Sequence, residues 1–229
     1  MSKHIGIVAV SSEGAALCYR TICLEGSKLM GTHGHPEITM HTFPFQDYVK
    51  FIEADQWQEL GDLMLESARK LSKTGVDFVI SPDNAVHQSL DMVRQLSPLP
   101  WLHIAEVVAD EAVDRGLKRL VVFGTRWLME GPVYATKLSA RNIQCEIPGP
   151  DVRNEIDRII WMELVKGSIE INSRQYFQEI ILHHKRHGCD GVVLGCTEIP
   201  LLITEKDSAL PVLDSTRLLA RAALKYALA

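Results

Sequence analysis

The chain contains no Gly-x-Gly-x-x-Gly, no Walker-type phosphate loop and no His-Glu-x-x-His, so dinucleotide, nucleoside-triphosphate and zinc-protease chemistry lose their usual sequence support. Its cysteines number five, and none stands in Cys-x-x-Cys spacing, which removes a disulfide framework and a zinc knuckle and leaves free thiols. No stretch approaches the roughly 18 apolar residues of a membrane helix. The opening apolar run at 5–10 reads as a buried first strand rather than a signal peptide, so a cytoplasmic location without membrane association is expected. With 24 basic against 29 acidic residues the net charge is only −5, which gives no general attraction to nucleic acid or anionic membranes. Low-complexity segments and long linkers are missing too. His183, His184 and His187 have helical spacing but no evident further ligand, and with His33 and His35 they read as solvated; no metal is expected.

What the chain does contain is a repeat. Gly75-Val76-Asp77-Phe78-Val79-Ile80-Ser81-Pro82-Asp83-Asn84 aligns without a gap on Gly188-Cys189-Asp190-Gly191-Val192-Val193-Leu194-Gly195-Cys196-Thr197. Each copy is a Gly-x-Asp turn, an apolar strand and a short polar residue where a helix should begin. The run ending at Ser11 matches the run ending at Thr125 at nearly the same offset, about half the chain. At 229 residues and 46% hydrophobic composition, two cores of about 100 residues each are affordable. Short β-branched runs at 5–10, 38–42, 78–80, 101–103, 120–123, 144–147, 192–194 and 212–213 alternate with amphipathic stretches at 57–73, 156–165 and 176–187. That alternation predicts βαβ units with parallel sheets. The expected architecture is α/β, with two pseudo-symmetric lobes: residues 1–100 joined by a C-terminal helical segment at 211–229, and residues 101–210, with the active site in the cleft between them.

Ligands of open α/β sheets bind beyond the carboxyl ends of the strands, where Ser11, Asp83, Thr125 and Cys196 are all predicted to stand. A carboxylate and a thiol approaching one ligand from opposite faces suit inversion at carbon, one group removing a proton and the other returning one. Cys196 is predicted to open a helix through Thr197, Glu198, Ile199 and Pro200, where partial positive charge favours a thiolate and can hold a substrate carboxylate. The competing reading is a small cysteine filling a strand-to-helix corner. Asp83 suits two roles, a helix cap and a carboxylate base, which are compatible. Asn84, Thr125 and Thr197 offer hydrogen bonds at the same edge or caps for the helices there. His87, one turn after Asp83, is either an orienting group or a structural hydrogen-bonder. The thiol–carboxylate pair makes a pyridoxal cofactor unnecessary, and no cofactor is expected.

Gly191-Val192-Val193-Leu194-Gly195-Cys196-Thr197-Glu198-Ile199-Pro200-Leu201 closely resembles the second cysteine motif of the aspartate/glutamate racemase superfamily, which also includes hydantoin racemases, maleate isomerases and arylmalonate decarboxylases. The segments beginning Phe123-Gly124-Thr125, Met162-Glu163-Leu164 and Pro211-Val212-Leu213-Asp214 match further motifs in order. The resemblance implies pyridoxal-independent racemisation by two opposed acid/base groups, commonly in a homodimer. It implies that Cys196 is one of those groups, that Asn84, Thr125 and Thr197 hold the α-carboxylate, and that Lys166 meets a distal carboxylate. Glu198, within the Cys-Thr-Glu motif, is a supporting candidate. The chain departs from the family at its first motif: Cys-Asn-Thr-x-His becomes Asp83-Asn84-Ala85-Val86-His87. The usual glycine-rich start becomes Ala9-Val10-Ser11-Ser12-Glu13-Gly14, and Leu219 stands where many members have histidine.

The expected function is therefore amino-acid racemisation or epimerisation, with aspartate or glutamate as substrate and Cys196 and Asp83 as an unlike acid/base pair. Two other readings remain: a decarboxylase or isomerase working through Cys196 alone, and a ligand-binding homologue without catalysis. The expected partner is a small anionic substrate, an amino acid, and a second copy of the chain.

Overall fold

The computed structural model describes residues 2–229. In chain order the elements are β1 (Ile5–Ala9), α1 (Ser12–Met30), β2 (Ile38–Thr42), α2 (Phe45–Glu53), α3 (Trp57–Ser72), β3 (Phe78–Ile80), a 3-10 turn (Ala85–Ser89), α4 (Leu90–Leu96) and α5 (Ile104–Asp114). They continue with β4 (Arg119–Phe123), α6 (Arg126–Glu130), α7 (Pro132–Ser139), β5 (Gln144–Glu146), α8 (Pro150–Met162), a second 3-10 turn (Leu164–Lys166), α9 (Ile171–Arg186), β6 (Gly191–Leu194), α10 (Ile199–Leu202), β7 (Val212–Asp214) and α11 (Ser215–Leu228). The chain forms two compact units, one containing the residues up to Val107 with Thr216–Ala229, the other Val108–Ser215.

Both sheets are wholly parallel. The first has the order β2-β1-β3 and the second β5-β4-β6-β7. The first three strands of each unit thus share one order, with the first strand in the middle. The Gly-x-Asp turns explain how each order is locked. Gly75 and Gly188 have φ of +82° and +92°, conformations that glycine adopts without a Cβ penalty. The aspartate that follows then reaches back to the start of the neighbouring strand. Asp77 Oδ2 accepts from His4 N at 2.7 Å while Asp77 N donates to His4 O at 2.9 Å. Asp190 accepts from Lys118 N and Arg119 N at 2.7 and 2.8 Å and donates its own N–H to Arg119 O at 2.9 Å.

Strands buried on both faces need apolar residues at successive positions, and β1, β3 and β6 are buried throughout. In the first unit Ile5, Ile7, Phe78 and Ile80 pack with Cys18 and Ile22 of α1 and with Leu219, Ala220 and Ala223 of α11. Leu219 is fully buried there. In the second unit Val121, Phe123, Val192 and Leu194 pack with Ile156 and Ile160 of α8, Phe177 and Ile181 of α9, and Leu202 of α10.

Three expectations are corrected. The segment at 101–103 is no strand: Trp101 makes a single bridge to Val79, and His103 turns the chain into α5 by accepting Ala105 N on its Nδ1. The segment 211–215 belongs to the second unit rather than the first, because β7 completes the second sheet beside β6. The helix expected at 156–165 begins earlier, at Pro150, and ends at Met162, after which the chain tightens into the 3-10 turn.

Candidate active site

An open parallel sheet offers its ligand crevice where the strand order reverses, beyond the carboxyl ends of the two strands that flank the reversal. In the first unit those strands are β1 and β3, which deliver Ser11 and Asp83; in the second they are β4 and β6, which deliver Thr125 and Cys196.

Ser11 is the N-cap of α1, with extended backbone and a side-chain oxygen that accepts from Gly14 N at 3.3 Å. Its own N–H donates to Asp83 Oδ2 at 2.8 Å. Asp83 therefore completes, from 72 positions away, the contact that the glutamate of a capping box would supply locally. From sequence, Asp83 is expected to cap the turn that follows it; the bond seen here is to the N-cap residue of α1. That turn has Asn84 at its N-cap, buried and helical in backbone, with no side-chain capping bond. The carboxylate also gains from the positive end of a 19-residue helix. Tyr48 on α2 lies in the field of Asp83: burial above all, and the Asp83 charge in addition, push its phenol above the ordinary tyrosine range. Its hydroxyl is fully buried beside Ser67, without a hydrogen bond of good geometry. Nothing in the sequence distinguished Tyr48 from a core residue on an amphipathic helix.

His87 has a partner at each ring nitrogen. It is buried, its Nε2 bonds Ser81 O at 2.9 Å and its Nδ1 accepts from Ile104 N at 3.4 Å. It ties the end of β3 to the start of α5.

In the second unit Gly195 N donates to Phe123 O at 2.7 Å, which draws β6 against the end of β4. A Cβ at Gly195 would stand 2.9 Å from Phe123 O, so the close backbone approach requires glycine. The next residue is Cys196. Its thiol donates to Glu198 Oε2 at 2.9 Å, and the same oxygen accepts from Thr197 Oγ1 at 2.7 Å. Glu198 and Thr197 are buried, while Cys196 is partly accessible. The expected helix opening at Cys196 is corrected: α10 is a single turn beginning at Ile199, with Glu198 as its N-cap. The thiol thus bonds a buried carboxylate two residues on, ahead of the helix rather than at its opening. In this arrangement the Thr197 hydroxyl gives its proton to Glu198.

Thr125 is the N-cap residue of α6 in position only, since its side chain makes no capping bond and stays partly exposed. Lys166 closes the 3-10 turn that packs on α10; it is exposed, and its Nζ lies 3.6 Å from Met162 Sδ. Ser215, absent from the candidates, bonds Leu194 O at 2.8 Å and fixes the end of β6 immediately before the Cys196 turn. Among the other cysteines, burial pushes Cys145 up to about 11 and also raises Cys189, while Cys18 is wholly buried. No group of three or more His, Cys, Asp or Glu side chains among the described residues is arranged to hold a metal, and no helix there is long and apolar enough to cross a membrane.

A thiol in contact with a buried carboxylate, and a second carboxylate at the matching edge of a like-ordered sheet, are groups that take up and return protons. The chain belongs to the Asp/Glu/hydantoin racemase family, whose model matches residues 7–223. Among its relatives is the broad-specificity amino-acid racemase RacX of Bacillus subtilis strain 168, 25% identical over 196 residues, which cover 85% of this chain and 83% of that protein. A Yersinia pestis protein provisionally named as an Asp/Glu racemase superposes with a TM-score of 0.92 at 29% identity, over 99% of this chain and all of its own. An aspartate racemase homologue from Pyrococcus horikoshii superposes with a TM-score of 0.88 over the whole of both chains; at 23% identity that likeness is one of fold.

Proposed function

We propose that the protein is a cofactor-independent amino-acid racemase in which Cys196 and Asp83 exchange protons with the substrate α-carbon. The observation that carries this reading is the bond between the Cys196 thiol and the buried Glu198 carboxylate, because it couples a partly accessible proton donor to an internal acceptor. The resting pair is then a thiol and a carboxylate. Asp83 removes the α-proton, and Cys196 S–H delivers its proton to the opposite face. The step leaves a carboxylic acid and a thiolate, the form that converts the other enantiomer back. When the pair is reset between turnovers, Asp83 releases its proton to solvent and the Cys196 thiolate regains one from solvent by way of Glu198. The reading requires both groups to reach opposite faces of one carbon.

Hydrogen bonds to the substrate carboxylate stabilise the charge that develops as the proton leaves. Asn84, Thr125 and the Ser11 edge supply donors for it, and Thr197 an acceptor for the substrate ammonium. Lys166, an exposed cation on the turn against α10, supports an acidic substrate, aspartate or glutamate. The reading places the enzyme in the cytoplasm as a homodimer. Its test is incubation with L- and D-amino acids in heavy water, without pyridoxal phosphate, following α-proton exchange and chirality together. Exchange with inversion is expected. Full activity in Cys196→Ala would sink the mechanism.

A second reading is favoured by one contact. Because Asp83 is committed to Ser11 N–H, it can serve as an anchor while Cys196 alone protonates an enediolate, as in a decarboxylase or isomerase. Carbon dioxide released from a substituted malonate, without racemisation of any amino acid, would select that reading.

A further inference from the structure

In the first unit, α1 and α11 border a groove of about 290 Å³ that the proposed reaction does not use. Arg20 and Lys28 of α1 and Arg217 of α11 line it, with Leu17 and Leu24 as its apolar wall and Glu25 as its one carboxylate. Leu24 is 56% exposed. Arg20 and Lys28 lie about 14 and 26 Å along the helix from Ser11, at 1.5 Å per residue.

The groove inverts the charge of its surroundings. The chain carries a net −5, yet here three cations face a single acidic group that is already engaged. Both Glu25 oxygens are held by Arg221, whose Nε lies 2.9 Å from Oε2 and whose Nη2 lies 2.9 Å from Oε1. Arg221 holds the Glu25 carboxyl below the ordinary glutamate range, and Lys28 and Arg217 add to the effect, so its charge is already shared. Neither Arg20 nor Lys28 has a side-chain hydrogen bond or ion pair among the described residues. Arg217 stands in the first turn of α11, where a cation opposes the helix dipole instead of complementing it.

We propose that this groove binds a small organic dianion, its charged group held by Arg20, Lys28 and Arg217 and its apolar body resting on Leu17 and Leu24. The volume lies at the lower limit of small-molecule sites, which restricts the ligand to a few heavy atoms beyond its oxyanion. Phosphate monoesters and dicarboxylates share this chemistry, and both are arms of the test. Phenyl phosphate, glutarate and sodium chloride at matched ionic strength are titrated into the full chain by calorimetry, with thermal unfolding in parallel. Saturable binding of at least one dianion, absent with chloride, is expected. The Arg20→Ala, Lys28→Ala double variant, which alters two exposed side chains, should weaken it by about tenfold or more, a loss of roughly 1.4 kcal/mol. Equal responses to dianion and chloride would overturn the proposal. So would undiminished binding in the double variant, which would place the dianion elsewhere.

Discussion

Replacing Glu198 by glutamine isolates what the buried carboxylate does. In the protein one oxygen of Glu198 accepts from the Cys196 thiol at 2.9 Å and from the Thr197 hydroxyl at 2.7 Å. A glutamine has nearly the same shape and keeps an acceptor oxygen, but it cannot take up a proton. If Glu198 were only a hydrogen-bond acceptor, the change would forfeit the charge assistance of two bonds, about 1–2 kcal/mol of stability, and little else. If it receives and returns the Cys196 proton, the loss falls on turnover. Positioned acid/base groups contribute about 10²–10⁴-fold, so kcat should fall at least ~100-fold, about 2.7 kcal/mol in the barrier. KM should move by less than about threefold, since no substrate contact is removed. The assay is α-proton exchange and inversion in heavy water for each enantiomer separately, with thermal unfolding as the control for folding. A variant that unfolds a few degrees earlier but keeps kcat within about threefold of the parent would refute the proton-holding role.

Three further outcomes are expected. Asp83→Asn keeps an acceptor for Ser11 N–H but cannot abstract a proton, so it should fold normally and lose inversion; Asp83→Ala should in addition lower stability by about 1 kcal/mol, read by denaturant unfolding. Gly195→Ala places a methyl 2.9 Å from Phe123 O, and should cost about 1–3 kcal/mol while disturbing the Cys196 turn, visible as a lower Tm with a disproportionate fall in kcat. Arg221→Ala tests the ion pair with Glu25, whose folded pKa is depressed: the pair contributes above the unfolded glutamate pKa near 4.3 and is lost as pH falls through the folded value. The variant should be less stable by about 0.5 kcal/mol at pH 7, with the difference closing in acid, in urea unfolding at low salt.

Much of the fold was legible because β-branched runs and the repeated Gly-x-Asp turns are local signals. The carboxyl-end edge of each sheet was legible for a related reason, since Ser11 and Asp83 in one unit and Thr125 and Cys196 in the other each follow an apolar strand. The failures have physical causes too. The run at 101–103 is apolar enough for a strand, but His103 commits its ring to the N-terminus of α5 and ends the pairing. A proline at position 200 suggests a helix opening near Cys196, but Glu198 spends its carboxylate on the two side chains before it, and the helix starts later and stays one turn long. The bond from Ser11 to Asp83 joins residues 72 positions apart and has no periodicity to reveal it. His87 could be assigned only once both ring nitrogens had visible partners.

The Gly-x-Asp turns have a consequence at the far end of the strands they begin. β3 has three residues and β6 four, so at most about 20 Å of extended chain lies between each aspartate latch and the side chain presented beyond the strand, Asp83 or Cys196. Slippage by one residue along so short a strand would turn every side chain to the other face and carry Asp83 or Cys196 away from the end of its sheet. Asp77 and Asp190 therefore act as phase setters: each fixes which residue arrives last at the opposite edge, although neither can touch what binds there. Weakening a latch should blur the placement of Asp83 or Cys196 before it unfolds the sheet, so a loss of turnover on the proposed mechanism can originate a full strand length away.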